Sequence, residues 1–222
     1  MIYDHDHPWY RARWQYSGNS RWNGAYYYSQ EIVRNIIPRI NTSRSWVTVN
    51  IPIENRVPQF DACAESHSIV FVHNNLHPEN YEWLSRYDDL ILVCGIPETM
   101  EKVEHLGTPI HLPLSIDVEE VRQHIRPKTR GSAFVGREPK CRGVEFPPGV
   151  DIIHGMRREI LLDVMAEYRS VYAVGRTALE AKVLGCEILP YDDRFPDPDV
   201  WQVLDNRDAS VILQEKLDKI DG

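Results

Sequence analysis

Ser170-Val171-Tyr172-Ala173-Val174-Gly175-Arg176-Thr177-Ala178-Leu179-Glu180-Ala181-Lys182-Val183-Leu184-Gly185-Cys186-Glu187-Ile188-Leu189-Pro190-Tyr191 is the stretch whose reading decides the fold. It reads as strand, glycine turn, helix, glycine stop and strand. Gly175 allows a close backbone approach at the turn. Thr177 can cap the helix. The free N–H groups of the first helical turn, at the positive end of the helix dipole, suit a phosphate. Thr177-x-x-Glu180 is also a capping box, in which Glu180 satisfies a backbone amide. Spacing leaves both readings open.

The same alternation extends outward in both directions. Apolar runs rich in β-branched residues occur at Trp46–Ile51, Ser68–His73, Leu90–Cys94, Ile110–Leu114, Ala133–Val135, Val150–Ile153, Val171–Val174 and Glu187–Leu189. They run nearly continuous rather than alternating, which predicts strands buried on both faces. Helical stretches separate most of them, at Glu79–Arg86, Glu98–Leu106, Val118–His124, Arg157–Arg169 and Thr177–Leu184. A further helix is predicted from about Ala25 to Ile37, stopped by Pro38, and a last one over Asn206–Ile220. Strand-helix alternation at this spacing implies βαβ units and parallel sheets. The basic, polar stretch Gln123–Arg130, with Pro127, marks a boundary. It gives two Rossmann-like halves, residues 1–125 and 126–222, with the last helix free to cross back to the first.

Composition narrows the classes. The chain has 222 residues, a 42% hydrophobic share and a net charge of −8. That charge disfavours a protein that coats nucleic acid, since phosphate contacts need concentrated Lys and Arg. No apolar run is long enough for a membrane span, and Met1–His7 lacks the features of a signal peptide. The four cysteines are scattered, with no Cys-x-x-Cys pair. Free thiols in a reducing cytoplasm are the simplest expectation.

Two further segments bear on chemistry. Ser132-Ala133-Phe134-Val135-Gly136-Arg137-Glu138-Pro139-Lys140-Cys141-Arg142-Gly143 puts two cations, Arg137 and Lys140, just past a strand end. His73-Asn74-Asn75-Leu76-His77-Pro78 follows another strand, and Leu112-Pro113-Leu114-Ser115-Ile116-Asp117 closes the first half.

Together these segments resemble GT-B glycosyltransferases. The 170–191 stretch is similar to that family's donor-binding region, with its central Glu-Ala and terminal Pro. The 132–143 stretch is similar to the segment opening its donor domain, and the 68–117 region, more weakly, to the end of its acceptor domain. The resemblance covers most of residues 68–191. It implies an α/β, GT-B-like fold of two parallel-sheet halves with a cleft between them. The nucleotide-sugar donor domain would be C-terminal and the acceptor domain N-terminal. It further implies that Glu180 holds the ribose and that Gly175, Arg176, Thr177 and Ala178 hold the diphosphate. Arg137 and Lys140 would neutralise the diphosphate and the leaving group without a metal, and Gly136 beside them would belong to the donor site. The donor would be a nucleotide-diphosphate sugar, a UDP-sugar first among them, and no separate cofactor is needed. One departure stands out. Many retaining members carry a second Glu eight positions before the first, and that position here is Tyr172.

On the acceptor side, His73 follows a strand end and titrates in the range suited to proton transfer. Asp4, His5, Asp6 and His7 are alternatives. Gly18, Asn19 and Gly24 form a turn suited to backbone contacts with substrate, and Asn74 joins them. Trp22, Tyr26, Tyr27 and Tyr28 border that turn. Asp4-x-Asp6 and the pair His73/His77 are weak metal candidates, because Pro78 opposes a helical His pair. No metal is expected.

The expectation is therefore a cytoplasmic glycosyltransferase, hexosyltransferase-like, acting on an unidentified acceptor. A non-catalytic nucleotide-sugar binder on a degenerate GT-B scaffold is the rival. An epimerase or a phosphosugar-binding regulator is a more distant one. No Gly-x-Gly-x-x-Gly or Walker loop favours a dinucleotide or P-loop enzyme.

Overall fold

The computed structural model describes residues 35–42, 44, 46–49, 67–72, 82, 84–190, 192, 193, 195 and 197–222. Its strands are β1 (Trp46–Val49), β2 (Ile69–Val72), β3 (Leu90–Cys94), β4 (Gly107–His111), β5 (Arg130–Val135), β6 (Asp151–Ile153), β7 (Tyr168–Tyr172) and β8 (Glu187–Leu189). Its helices are α1 (Pro97–Val103), α2 (Val118–Arg122), α3 (Glu138–Cys141), α4 (Arg158–Met165), α5 (Arg176–Val183) and α6 (Asn206–Asp221). The protein is an α/β chain with two parallel sheets, ordered β1-β2-β3-β4 and β6-β5-β7-β8.

The described residues up to Pro113, with Arg207–Gly222, cluster into one unit, and Leu114–Asn206 form a second. In the first, the strands run in sequence order, each parallel to the next. β2 and β3 are buried along their whole length. Such strands lose their backbone partners to no solvent and bury apolar side chains on both faces, which is why they read as unbroken hydrophobic runs. A side chain at Gly107 would put its Cβ 2.2 Å from the Leu90 carbonyl oxygen, so only glycine fits where β4 starts beside β3. α6 joins this unit through Gln214, whose Oε1 accepts from Asn41 N at 2.6 Å, and Lys216, which donates to His111 O at 3.0 Å.

In the second unit, β5 leads the chain order but lies inside the sheet. β6 pairs with one side of it and β7 with the other. The order therefore reverses between β5 and β7. α2 and α4 both pack against α5. The core is built from Phe134, Leu162, Met165, Val171, Ala178 and Leu179, all fully buried.

Several elements differ from their expected bounds. β4 begins at Gly107, not Ile110, and carries Pro109 opposite Leu92. It is an outer strand of the described sheet, where proline's missing N–H costs no ladder bond. β7 begins at Tyr168, and α4 ends at Met165 rather than running to Arg169. Tyr168 and Ser170 are buried while Arg169 between them is exposed, a strand alternation that the helical reading of 157–169 absorbed. The division falls at Pro113/Leu114, ahead of the 123–130 stretch. Ile116 explains it: its N–H donates to Leu204 O and its carbonyl accepts from Asn206 N, both at 3.1 Å, so 114–117 belong with the chain that leaves this unit. The short helix α3 lies outside the helices predicted from the sequence.

Among the described residues no helix is long and apolar enough to cross a membrane. Cys94, Cys141 and Cys186 are free thiols.

Candidate functional site

Ligands of open parallel sheets sit outside the carboxyl ends of the strands, at the point where strand order reverses. In the second unit that point is between β5 and β7. The last register pair there is Phe134 with Tyr172. Gly136 and Ala173 are the first residues past the carboxyl ends of these two strands, followed by Arg137 and by Gly175. The sequence-predicted groups 136–140 and 175–180 thus both follow the carboxyl ends of adjacent strands.

The turn into α5 depends on Gly175, whose φ is +64° and ψ −140°. A side chain there would be strained. Gly175 is the N-cap, and no side chain caps the helix. The capping-box reading of Thr177-x-x-Glu180 is therefore corrected. The helix starts at Arg176, one residue earlier than the motif requires, so Thr177 lies inside the first turn rather than at its edge. Ala178, also on that turn, is fully buried.

Glu180 points inward and is only 3% exposed. Its Oε1 accepts from Arg158 Nε at 2.9 Å, with Arg176 Nε 3.5 Å away. Arg158 also donates to Glu120 Oε1 through Nη1. A buried carboxylate needs such partners, since an unpaired charge inside a protein is costly. Burial works against the Arg158 charge, but Glu180 and Glu120 outweigh it and hold the guanidinium above its ordinary pKa. Arg158 Nη2 is buried with no hydrogen-bond partner among the described residues. Arg158 and Arg176 are the first residues of α4 and α5, where the helix dipole disfavours cations.

Lys140 is the other notable side chain. Its ammonium stands 5.8 Å from the centroid of the Phe195 ring. Phe195 follows β8 and Lys140 follows β5, while β7 lies between those strands in the sheet. The contact therefore passes across the carboxyl end of β7, where Gly175 opens α5. Burial, and then the nearby positive charge of Arg137, push the Lys140 amine down to about 8. Arg137 itself is exposed. Neither cation has an ion pair among the described residues. Phe146 packs on Phe134 and on Tyr172, with ring centroids 5.4 Å and 5.2 Å apart, and so covers the two strand ends from one side.

The charge at this edge opposes that of the chain. Segments 136–142, 154–158 and 173–176, which follow β5, β6 and β7, hold Arg137, Lys140, Arg142, Arg157, Arg158 and Arg176 against one carboxylate, Glu138. The whole chain carries −8. Arg142, Arg157 and Arg158 were not singled out from sequence. Their signal was there, as basic residues directly after predicted strands. The partnering of Glu180 by Arg158, 22 positions away, had none.

His73, Asn74, Gly18, Asn19 and Gly24 lie outside the described residues, as do Asp4, His5, Asp6, His7, His77, Trp22, Tyr26, Tyr27 and Tyr28. The loop after β8 contains a local cap in which Asp197 Oδ1 accepts from Asp199 N at 3.0 Å. Among the described residues no group of three or more His, Cys, Asp or Glu side chains is placed to hold a metal.

No family model, no curated protein and no solved structure matches the chain. The fold and the site therefore define a class only: an α/β protein with two parallel sheets and a cation-rich switch point in the second.

Proposed function

We propose that the second unit binds the diphosphate of a nucleotide-sugar at the β5/β7 switch point, and that the protein is a metal-independent glycosyltransferase of the GT-B class. The carrying observation is the concentration of cations at that edge of an acidic chain, with no ion pair to Arg137 or Lys140 among the described residues. An anion is the chemical class that such a site lacks and attracts. A glycine-opened helix start adds backbone amides to the same place.

In this reading Arg137 and Lys140 meet the diphosphate, with the amides of Gly175–Ala178. They offset the negative charge that grows on the leaving group as the sugar–oxygen bond breaks. Both arginine contacts to Glu180 fall on Oε1, so Oε2 is the oxygen a ribose would meet. Arg176 and Arg158 add positive potential from the first turns of their helices. The acceptor belongs to the first unit, and the base to the residues around His73.

Calorimetry with UDP and UDP-sugars tests the proposal. The expected result is micromolar binding of the diphosphate, weakened more than tenfold in Arg137→Gln or Lys140→Gln. Binding should fall as salt rises. A folded protein that binds no nucleoside diphosphate would overturn it. Release of free sugar from the donor over hours, without acceptor, separates an enzyme from a pure binder.

A further inference from the structure

Three helices of the second unit are joined by one arginine. Glu180 projects from the middle of α5, Arg158 opens α4 and Glu120 lies on α2. Arg158 Nε donates to Glu180 Oε1 at 2.9 Å, and its Nη1 donates to Glu120 Oε1. A guanidinium is a rigid plane, so carboxylates bonded to two of its nitrogens fix both its place and its tilt. Arg176, four residues before Glu180 on the same helix, brings its Nε to 3.5 Å from that same Oε1. Two cations thus take one oxygen of the carboxylate. No described atom hydrogen-bonds the other oxygen, Oε2. Nor is Oε2 one of the buried polar atoms left without a partner, so it is the part of Glu180 that solvent reaches.

We propose that Arg158 is a positioning residue that gives the site its preference for ribonucleotides: held by Glu120, it ties down Glu180 Oε1 and leaves Oε2 aimed at a ribose hydroxyl. The inference rests on the nucleotide-diphosphate reading above and adds what selects the sugar of that nucleotide.

A carboxylate at a cation-rich edge is chemically selective. It repels phosphate oxygens and accepts from a hydroxyl, so it sorts the two ends of a nucleoside diphosphate. Its place along α5 agrees. Glu180 stands roughly 6 Å along the helix axis from Arg176, in the first turn whose amides would hold the diphosphate. The ribose is joined to that diphosphate through a single methylene, so its hydroxyls fall within that reach. A deoxyribose gives Oε2 nothing in place of the hydroxyl. An acceptor covered by ligand and left without a donor costs affinity, and that cost is the source of the preference. The preference lasts only while the carboxylate is held. Without Arg158, Glu180 can turn Oε2 away from the sugar or draw water to it, and both sugars are then bound alike.

The test is calorimetry of the full chain with UDP, 2′,3′-dideoxy-UDP and inorganic pyrophosphate. The two nucleotides carry the same diphosphate, so the ratio of their affinities cancels any change in the positive potential of the site. The parent is expected to bind UDP about tenfold more tightly than the dideoxy analogue. Arg158→Gln should bring that ratio below about threefold, and Arg158→Lys, whose ammonium lacks the fork, should fall between. Glu120→Gln serves where Arg158→Gln does not fold. It keeps the Arg158–Glu180 pair but loosens its anchor, and should lower the ratio by about half. A merely structural role for Arg158 would weaken both nucleotides equally and leave the ratio unchanged. A parent that binds both nucleotides alike overturns the proposal, and so does a parental ratio kept in folded Arg158→Gln or, where that variant does not fold, in Glu120→Gln. Either result leaves the diphosphate site standing if pyrophosphate binds. A parent that binds neither UDP nor pyrophosphate overturns the diphosphate reading, and this inference with it.

Discussion

Arg158 Nε donates to Glu180 Oε1 at 2.9 Å, and this pair holds the carboxylate that the sequence put at the centre of α5. The bond joins the first residue of α4 to the middle of α5. Glu180 is nearly closed off from solvent, and Arg158 has one further carboxylate partner, Glu120. Truncating the carboxylate leaves Arg158 half-buried with one anion fewer. Glu180→Ala is expected to lower stability by about 2–4 kcal/mol. Thr177→Ala should change it by less than about 0.5 kcal/mol, since Thr177 supplies no cap. Urea unfolding of the two variants measures both. Equal losses would revive the capping box.

Lys128 carries a structural role that its sequence neighbourhood hid. Its Nζ lies 2.9 Å from Ala166 O and 2.8 Å from Leu184 O, the C-terminal carbonyls of α4 and α5. A cation there satisfies orphan acceptors and meets the negative ends of two dipoles. Lys128→Met keeps the stem and removes the charge. The expected loss is about 2 kcal/mol, visible as a lowered midpoint in thermal or urea unfolding. A variant as stable as the parent would show that water replaces the ammonium without cost.

The sheets were legible because their strands are buried on both faces. Leu90–Cys94 and Ile69–Val72 are unbroken apolar runs of strand length. The ends were harder to place. Pro109 and Arg169 sit inside strands that exposure or edge position makes tolerant, and local propensity cannot see either. At the site, 136–140 and 175–180 could each be placed after a strand, and the pairing of β5 with β7 is what the structure adds. The fate of Glu180 did not follow, because a helix-to-helix ion pair depends on packing between elements far apart in sequence. Lys140 was marked by its position after a strand. Its burial against Phe195 depends on a residue 55 positions later, and that is a fact of the fold.

The cysteines offer a check on packing. Burial pushes the Cys94 thiol up to about 12, and its Sγ donates to Leu92 O at 3.6 Å. Burial also raises Cys186, with Lys128 working in the opposite direction. A thiolate is the reactive form, so both should resist a maleimide or disulfide reagent at pH 8 while the protein is native. Cys141, partly exposed at the end of α3, should react before either of them. Adding denaturant should release Cys94 as the first unit unfolds and Cys186 as the second does. Reaction of Cys94 in native buffer on the time scale of Cys141 would mean that the core of the first sheet opens readily.

The depressed amine of Lys140 ties stability to pH with a definite sign. Unfolded, the lysine has its ordinary value of 10.5, and folded it lies near 8. Between those values the unfolded chain binds more protons than the native one, so raising the pH across that window favours the native state. Below about pH 8 both forms are protonated, and the native protein carries the full cost of a charged amine in a place that disfavours it. Lys140→Met removes the cost. The variant is expected to be more stable than the parent by about 1–3 kcal/mol at pH 7, after allowing for the residual exposure of the side chain. Its advantage should shrink as pH rises through about 8 and vanish above about 10.5. Groups elsewhere in the chain titrate alike in both proteins, so the difference between the two unfolding curves isolates Lys140. A residue kept at such a cost fits a site selected for its ligand rather than for stability. Saturating UDP should then reverse the order at pH 7, stabilising the parent and leaving the variant nearly unchanged. A Lys140→Met protein that gains nothing at pH 7 would mean that the amine is solvated, and the anion site would lose its best-placed cation.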